Sequence, residues 1–393
     1  MYFRLKSDVY LVEGGATSAL YDGGRQRVFL LEADRAKTLQ LAEQNVSLED
    51  VATEMGLSLD AILNWTEELR IEELGDYLDH PAFVEKVNHF PRWQSEHVFQ
   101  GPPDISTGFL VVSAPCDLNC VYCTDEDVDL HLSCWRCVRG SEVDEWDFVK
   151  LKSAIEKYRN LGVGQLCIVV PPKVDVSRIL VPLVDEAKRH GFRPEIVSDL
   201  SLVNSPDYII SPEDVTLRLK VDLNRYSAMS LNQSISRVPT DSRIILIGDD
   251  PGFLEVARGM LRVLGIDWVE TSAVSPSTLR VEHKLSYPLP DARTLNYRQR
   301  LNGCLASTLT VHSDGLVSTC PMLRAYPLAE DFDIVRALRS DEFRLQKGLS
   351  MGLIEPCCSC GIRYACADCR YIEIRAGADL YQSVTCTRLT EGE

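Results

Sequence analysis

Residues 114–123 read APCDLNCVYC and set Cys116, Cys120 and Cys123 in a CxxxCxxC spacing. Thiols are soft ligands, so three of them in one short loop point to metal or redox chemistry. A structural zinc site usually takes four ligands, commonly from paired CxxC or CxxC/HxxxH arms. Three clustered cysteines can instead hold three irons of a 4Fe–4S cube and leave the fourth iron open to a substrate or cofactor. A zinc loop and a buried-thiol loop remain the alternatives at this point. The second concentration of cysteine, eight of the fourteen, lies in the last hundred residues.

Those loops need elements to hold them, and at 393 residues the chain has length for two or three domains. Its 45% hydrophobic and 25% charged content is that of an ordinary globular protein. No basic-then-apolar signal opens the sequence and no apolar run suits a bilayer, so the expectation is a cytoplasmic protein without membrane association. Cysteines in such a compartment are seldom disulfides. A net charge of −17 argues against a nucleic-acid partner, because phosphate binding depends on Lys and Arg.

Three regions follow along the chain. In 1–85, VYLVEGG and SALYDGGRQRVFLL alternate like strands, and EADRAKTLQLAEQN, SLEDVATEMG and LSLDAILNWTEELRIEELGDYL carry helical spacing. Ser47 and Ser58 are the expected N-caps. A small sheet followed by three helices is a winged-helix pattern, here without a basic recognition helix. A linker at 86–104 contains HFPRWQSEHVFQGPPD. From 105 to 295 strand-like and helix-like segments alternate: TGFLVVSAP, QLCIVV, RPEIVSDL, TLRLKVDL, SRIILIG and DWVETSAV are the strands. That alternation predicts parallel β/α units in an α/β fold, a partial (β/α)6 TIM-like barrel. Its functional loops belong at strand C-termini, where Cys116 to Cys123 fall. The region 296–393 is poor in core, so metal centres would staple it.

The CxxxCxxC loop after a first barrel strand, with Tyr122 before its last cysteine, resembles the radical S-adenosylmethionine superfamily. The last region resembles the SPASM extension, whose pattern C-x(9–15)-G-x4-C fits Cys304, Gly315 and Cys320. Cys357, Cys360, Cys366 and Cys369 fit its C-x2-C-x5-C-x(2–3)-C part, and Cys386 fits its final cysteine. CCSCGIRYACADCR looks like the end of grasp-associated SPASM peptide maturases, and the first region looks like the element with which such enzymes hold a precursor peptide's leader.

The resemblance implies a winged-helix peptide-recognition domain, a radical barrel and a C-terminal iron–sulfur domain. It implies a 4Fe–4S cluster on Cys116, Cys120 and Cys123 whose open iron takes S-adenosylmethionine and yields a 5′-deoxyadenosyl radical. Two auxiliary clusters are implied, one on Cys304, Cys320 and Cys369 and one on Cys357, Cys360, Cys366 and Cys386. The first set is one ligand short: its iron is open to a substrate group or takes a further thiolate such as Cys358. The implied reaction is crosslinking or cleavage of a ribosomal precursor peptide, less readily epimerisation, with a flavodoxin- or ferredoxin-type reductant. A non-catalytic iron–sulfur peptide-binding partner is the alternative.

Some residues fall outside the family pattern. Cys134 and Cys137, in SCWRC, are candidate hydrogen-atom donors or a plain loop pair. Cys167, in QLCIVV, reads as a small buried hydrophobe. Where the family carries a GGE-type motif for the cofactor's amino group, this chain has Pro171, Pro172 and Lys173. Ser198, Asp199 and Asn204 after the third strand, with Lys220 and Asp222 on the fourth, are the candidate cofactor contacts.

Overall fold

A computed structural model describes residues 1–15, 17–87, 105–113, 116, 118, 148–205, 208, 210–211, 213–248, 250–271, 289–366 and 368–386. Cys120, Cys123, Cys134 and Cys137 lie outside the described residues.

The first region begins with strands β1 (Tyr2–Leu5), β2 (Val9–Val12), β3 (Ser18–Asp22) and β4 (Arg27–Leu31). Helices α1 (Ala33–Glu43), α2 (Leu48–Met55) and α3 (Leu59–Ile71) follow, and then strand β5 (Gly75–Leu78). Both expected caps are present: Ser47 Oγ accepts from Asp50 N–H at 3.1 Å and Ser58 Oγ from Ala61 N–H at 3.1 Å. The helical reading of EELGDYL does not hold. The helix stops at Glu72, Glu73 takes φ 58°, and Gly75–Leu78 pairs antiparallel with Tyr2–Leu5. A tertiary partner at the start of the chain outweighs local propensity there. The linker reading also changes at its start: Lys86 Nζ donates to the carbonyls of Leu5 and Lys6, and Val87 N–H to that of Ser7.

In the antiparallel sheet β2–β3–β4, strands β2 and β3 are buried on both faces. Leu20 and Val9 face the three helices with Phe3, Leu48, Val51, Ile62 and Trp65. Tyr10, Val12, Ala19 and Tyr21, alternating with them, face Cys320, Cys357, Ile362 and Tyr364.

The large sheet has the order β11–β10–β9–β8–β7–β6–β12–β13. Its strands are β6 (Thr107–Val111), β7 (Gln165–Val169), β8 (Glu195–Asp199), β9 (Thr216–Asp222), β10 (Arg243–Ile247) and β11 (Asp267–Thr271). The six expected strands are all there and all parallel. β12 (Thr308–His312), from the cysteine-rich region, adds a seventh parallel strand beside β6, and β13 (Val317–Ser318) closes the edge antiparallel. Helices α4 (Phe148–Asn160), α5 (Val181–Arg189), α6 (Ala228–Ile235) and α7 (Pro251–Leu264) belong to the crossovers. Between β8 and β9 the described residues carry a short 3₁₀ turn instead, Leu200–Asn204.

Apolar, β-branched runs make these strands because both faces are covered. Leu110, Ile168, Ile196, Leu217, Leu219, Ile244 and Leu246 pack under the crossover helices. Capping fixes where the helices begin and end. Asp250 Oδ1 accepts from Gly252 and Phe253 N–H ahead of Pro251, and Gly265 ends α7 at φ 67°. The last region adds α8 (Ala292–Arg298), α9 (Ile334–Arg339), α10 (Asp341–Gly348) and α11 (Arg370–Arg375). No helix among the described residues is long and apolar enough to cross a membrane.

Candidate functional site

The exit of β6 is pinned by its neighbours. Val112 N–H donates to Val169 O at 2.8 Å, Ser113 N–H to Ser313 Oγ at 3.1 Å, and Ser313 N–H to Val111 O at 2.9 Å. From that anchored end the chain reaches Cys116, which is half-buried. Leu118, two residues on, lines a cavity of about 490 Å³ with Pro172, Lys173, Val174 and Asp175 after β7, and Ser201, Asn204 and Ser205 after β8. Leu118 of the cysteine-bearing segment, Pro172 and Lys173 after β7, and the residues after the third strand therefore line one hollow at the strand C-termini.

The five candidate cofactor contacts separate by face. Asn204 lines the cavity, its Nδ2 donating to Ser234 Oγ at 2.9 Å. Asp199 and Lys220 are register partners on the face of the sheet away from the helices, and Asp222 shares that face two residues on. Asp199 Oδ1 accepts from Ser201 N–H at 2.8 Å and Oδ2 from Arg225 Nη1 at 3.3 Å. Asp222 Oδ1 accepts from Asn224 N–H at 3.1 Å. Ser198 alternates to the helix side, buried, and donates to Val170 O at 2.9 Å. Lys173, which sequence reasoning noted only as part of a departure, stands in the cavity wall with its ammonium-bearing side chain.

Deeper on the same inner face the Cys167 thiol donates to Glu195 Oε2 at 3.5 Å. Glu195 also takes Gln165 Nε2 at 2.8 Å and Arg218 Nε at 2.8 Å; Cys167 is buried in an apolar cluster with Phe109, Val111, Val169 and Val197, as read, with this polar contact beside it. His312 on β12, in register with Val111, was missed by sequence reasoning. It is fully buried, its Nε2 meets Ser318 Oγ at 3.1 Å, and its Nδ1 has no partner among the described residues. Burial, and secondarily the positive Arg324, push its pKa down to about 3, so the ring is neutral.

In the cysteine-dense region Cys320 and Cys357 are buried, and Cys360, Cys366 and Cys369 pack half-buried against the same apolar cluster. Cys358 sits half-buried with its Sγ 3.8 Å from Ser359 Oγ, and Cys386 is half-buried. Cys304 and Cys366, which the resemblance assigns to different ligand sets, line one cavity of about 290 Å³ with Arg298, Asn302, Met351 and Asp368. Burial lowers the pKa of the Arg298 guanidinium, and Tyr21 and Cys366 oppose that shift. Tyr21 donates to Gly361 O at 3.0 Å, and desolvation raises its phenol well above the ordinary value. Among the described residues no three His, Cys, Asp or Glu side chains are drawn together as a ready-made metal site. The donor chemistry nevertheless fits an iron–sulfur group: soft thiols on short turns, gathered around one apolar cluster, with a cavity between two of them.

Solved structures show the following similarities to this chain. Streptococcus suis SuiB bound to S-adenosylmethionine is similar at 10% identity, over 97% of this chain and 98% of that one, with a TM-score of 0.47. SuiB bound to precursor peptide SuiA is similar at 12% identity over 97% and 98%, with a TM-score of 0.45. BtrN in complex with AdoMet and 2-DOIA is similar at 12% identity over 68% and 94%, with a TM-score of 0.34. No family model and no curated protein matches. Similarity of that degree carries no argument on chemistry, which rests on this chain's own residues.

Proposed function

We propose that this chain is a cytoplasmic radical S-adenosylmethionine enzyme that modifies a ribosomally made precursor peptide, with two auxiliary iron–sulfur clusters and a flavodoxin- or ferredoxin-type reductant. One observation carries the reading: the CxxxCxxC sequence follows the pinned C-terminal end of β6, and Leu118 within it lines a cavity with residues that follow β7 and β8. A 4Fe–4S cluster with S-adenosylmethionine supplies a 5′-deoxyadenosyl radical, and the protein orients it and excludes water. Cys116, with Cys120 and Cys123, would hold that cluster. Lys173 and Asn204 in the cavity wall would meet the cofactor's polar groups, and Asp199, Lys220 and Asp222 are buried polar residues on the inner face of the sheet. The pattern Cys304, Cys320 and Cys369, then Cys357, Cys360, Cys366 and Cys386, supports the auxiliary clusters. A leader peptide would add to β4, the outer strand of its sheet, where Leu30 is exposed.

The decisive experiment is anaerobic reconstitution with iron and sulfide, followed by reduction in the presence of S-adenosylmethionine. Release of 5′-deoxyadenosine above a Cys116→Ala control supports the enzyme reading. Pro171 and Pro172, where the family holds its amino-group motif, favour a second reading: a non-catalytic iron–sulfur partner that binds the peptide. It predicts iron and peptide binding with no 5′-deoxyadenosine. Mass analysis of a co-expressed short peptide then separates the products, loss of two hydrogens marking a crosslink.

A further inference from the structure

The side chains that tie the cysteine-bearing segments to one another are not cysteines. Asn302 Oδ1 accepts from the N–H groups of Cys304 at 3.0 Å and Leu305 at 2.8 Å. Its Nδ2 donates to Asp368 Oδ2 at 2.7 Å and to Leu349 O at 3.2 Å. Asp368 stands between Cys366 and Cys369 in the chain, and its Oδ1 accepts from Arg370 Nε. Arg370 Nη1 in turn donates to Gln382 O at 2.9 Å. Glu373 completes the tie to the last cysteine: it accepts from Ser383 Oγ at 2.8 Å, Val384 N–H at 2.7 Å, and Thr385 N–H and Oγ1 at 3.1 and 2.8 Å. Cys386 is the next residue.

Two sets of polar bonds, Asn302–Asp368–Arg370–Gln382 O and Glu373 with residues 383–385, thus join the Cys304 segment, the segment bearing Cys366 and Cys369, and the approach to Cys386. Asn302, Arg370 and Glu373 are only 1–2% exposed. Buried charges are costly, and packed apolar residues would stabilise the fold as well or better. What apolar packing lacks is directional register between backbone segments, which hydrogen bonds at defined angles supply. Asn302 and Asp368 also stand in the wall of the 290 Å³ cavity that Cys304 and Cys366 line, so their mutual bond spans that cavity's edge.

We propose that Asn302, Asp368, Arg370 and Glu373 are positioning residues that hold the thiols of Cys304, Cys366, Cys369 and Cys386 in register for auxiliary-cluster ligation, with the Asn302–Asp368 bond setting the separation of the Cys304 and Cys366 turns. The inference rests on the iron–sulfur reading and names the residues that make the cysteine pattern work.

The test uses the full chain in a Cys116→Ala background, so that bound iron is auxiliary iron. Asn302→Ala and Asp368→Ala are expected to lower iron affinity about 10-fold, as loss of an outer partner of a metal ligand typically does. They are also expected to alter the electron paramagnetic resonance spectrum of the reduced auxiliary centres. The double variant Asn302→Asp/Asp368→Asn reverses the bond's polarity while keeping an acceptor toward the Cys304 and Leu305 N–H groups. Recovery of iron content and spectrum in that pair supports positioning, and it decides the matter even if a single variant folds poorly. Folded single variants with parental iron content and spectrum overturn the proposal, as does a folded double variant no better than the singles. If the parent itself takes up zinc or no iron under reconstitution, the iron–sulfur reading falls and this inference with it.

Discussion

The rim of the parallel sheet and the cysteine-dense end both present thiols, but they are built by opposite means. Cys116 follows a strand whose every residue is placed by the sheet ladder, and its exit is clamped by Val169 O, Ser313 Oγ and the Ser313 N–H. The cysteines beyond residue 300 sit on short turns. Side-chain-to-backbone bonds hold those turns on one side, and β2–β3 of the first region holds them on the other. A site on strand ends inherits its geometry from a repeating scaffold. One on turns needs a dedicated partner for each segment, so it is more exposed to single substitutions away from the thiols themselves.

That contrast is open to attack in four ways, from the largest expected effect downward. Cys116→Ala should abolish 5′-deoxyadenosine release while auxiliary iron stays bound, and Cys360→Ala should do the reverse, sparing cleavage but losing auxiliary iron and peptide product. Iron analysis beside product chromatography reads both. The second concerns pH. His312 is neutral when folded with a pKa of about 3, against an ordinary 6.5 unfolded. The unfolded chain therefore binds the extra proton as pH falls below 6.5, and the stability that neutral burial provides is present above that value and drains away toward pH 3. His312 should add about 1.4 kcal/mol per pH unit to the fall in stability of the apo-chain within that window, a contribution missing in His312→Gln. Denaturant titrations at stepped pH measure it.

Third, a Cβ on Gly361 would come within 2.6 Å of Thr17 O and the Ser18 carbonyl carbon, both backbone. Gly361→Ala should cost about 2 kcal/mol by forcing the two regions apart. A lowered thermal midpoint with unchanged barrel spectroscopy would show it. Smallest is the effect of Ser198→Ala, about 1 kcal/mol from its lost bond to Val170 O, with no change in KM for S-adenosylmethionine. Asn204→Ala, at the cavity wall, should raise that KM. A KM change for Ser198→Ala would overturn the assignment of faces.

Much of the barrel was legible because its information is local. QLCIVV and SRIILIG are short apolar runs between breakers, and Ser47 and Ser58 stand three residues ahead of the N–H groups they cap. What stayed hidden is non-local. Gly75–Leu78 reads as the tail of a helix because its strand partner is Tyr2–Leu5, and β12 joins β6 from about two hundred residues away. The cysteine spacing announced a ligand pattern, but nothing in it named Asn302 or Asp368, which lie 66 residues apart and meet only in the folded chain. Ser198 and Asp199 were alike as adjacent polar residues, and only the pleat assigned them to opposite faces.

The two-sided burial of β2–β3 bears on how the chain is born. Tyr21 waits for Gly361, a partner 340 positions later, and at about 5–20 residues per second that delay is roughly 20–70 s of translation. Through that interval Tyr10, Val12, Ala19 and Tyr21 present a bare apolar strip to solvent. The first region therefore reaches its finished form only after the ribosome has delivered the segment around Gly361.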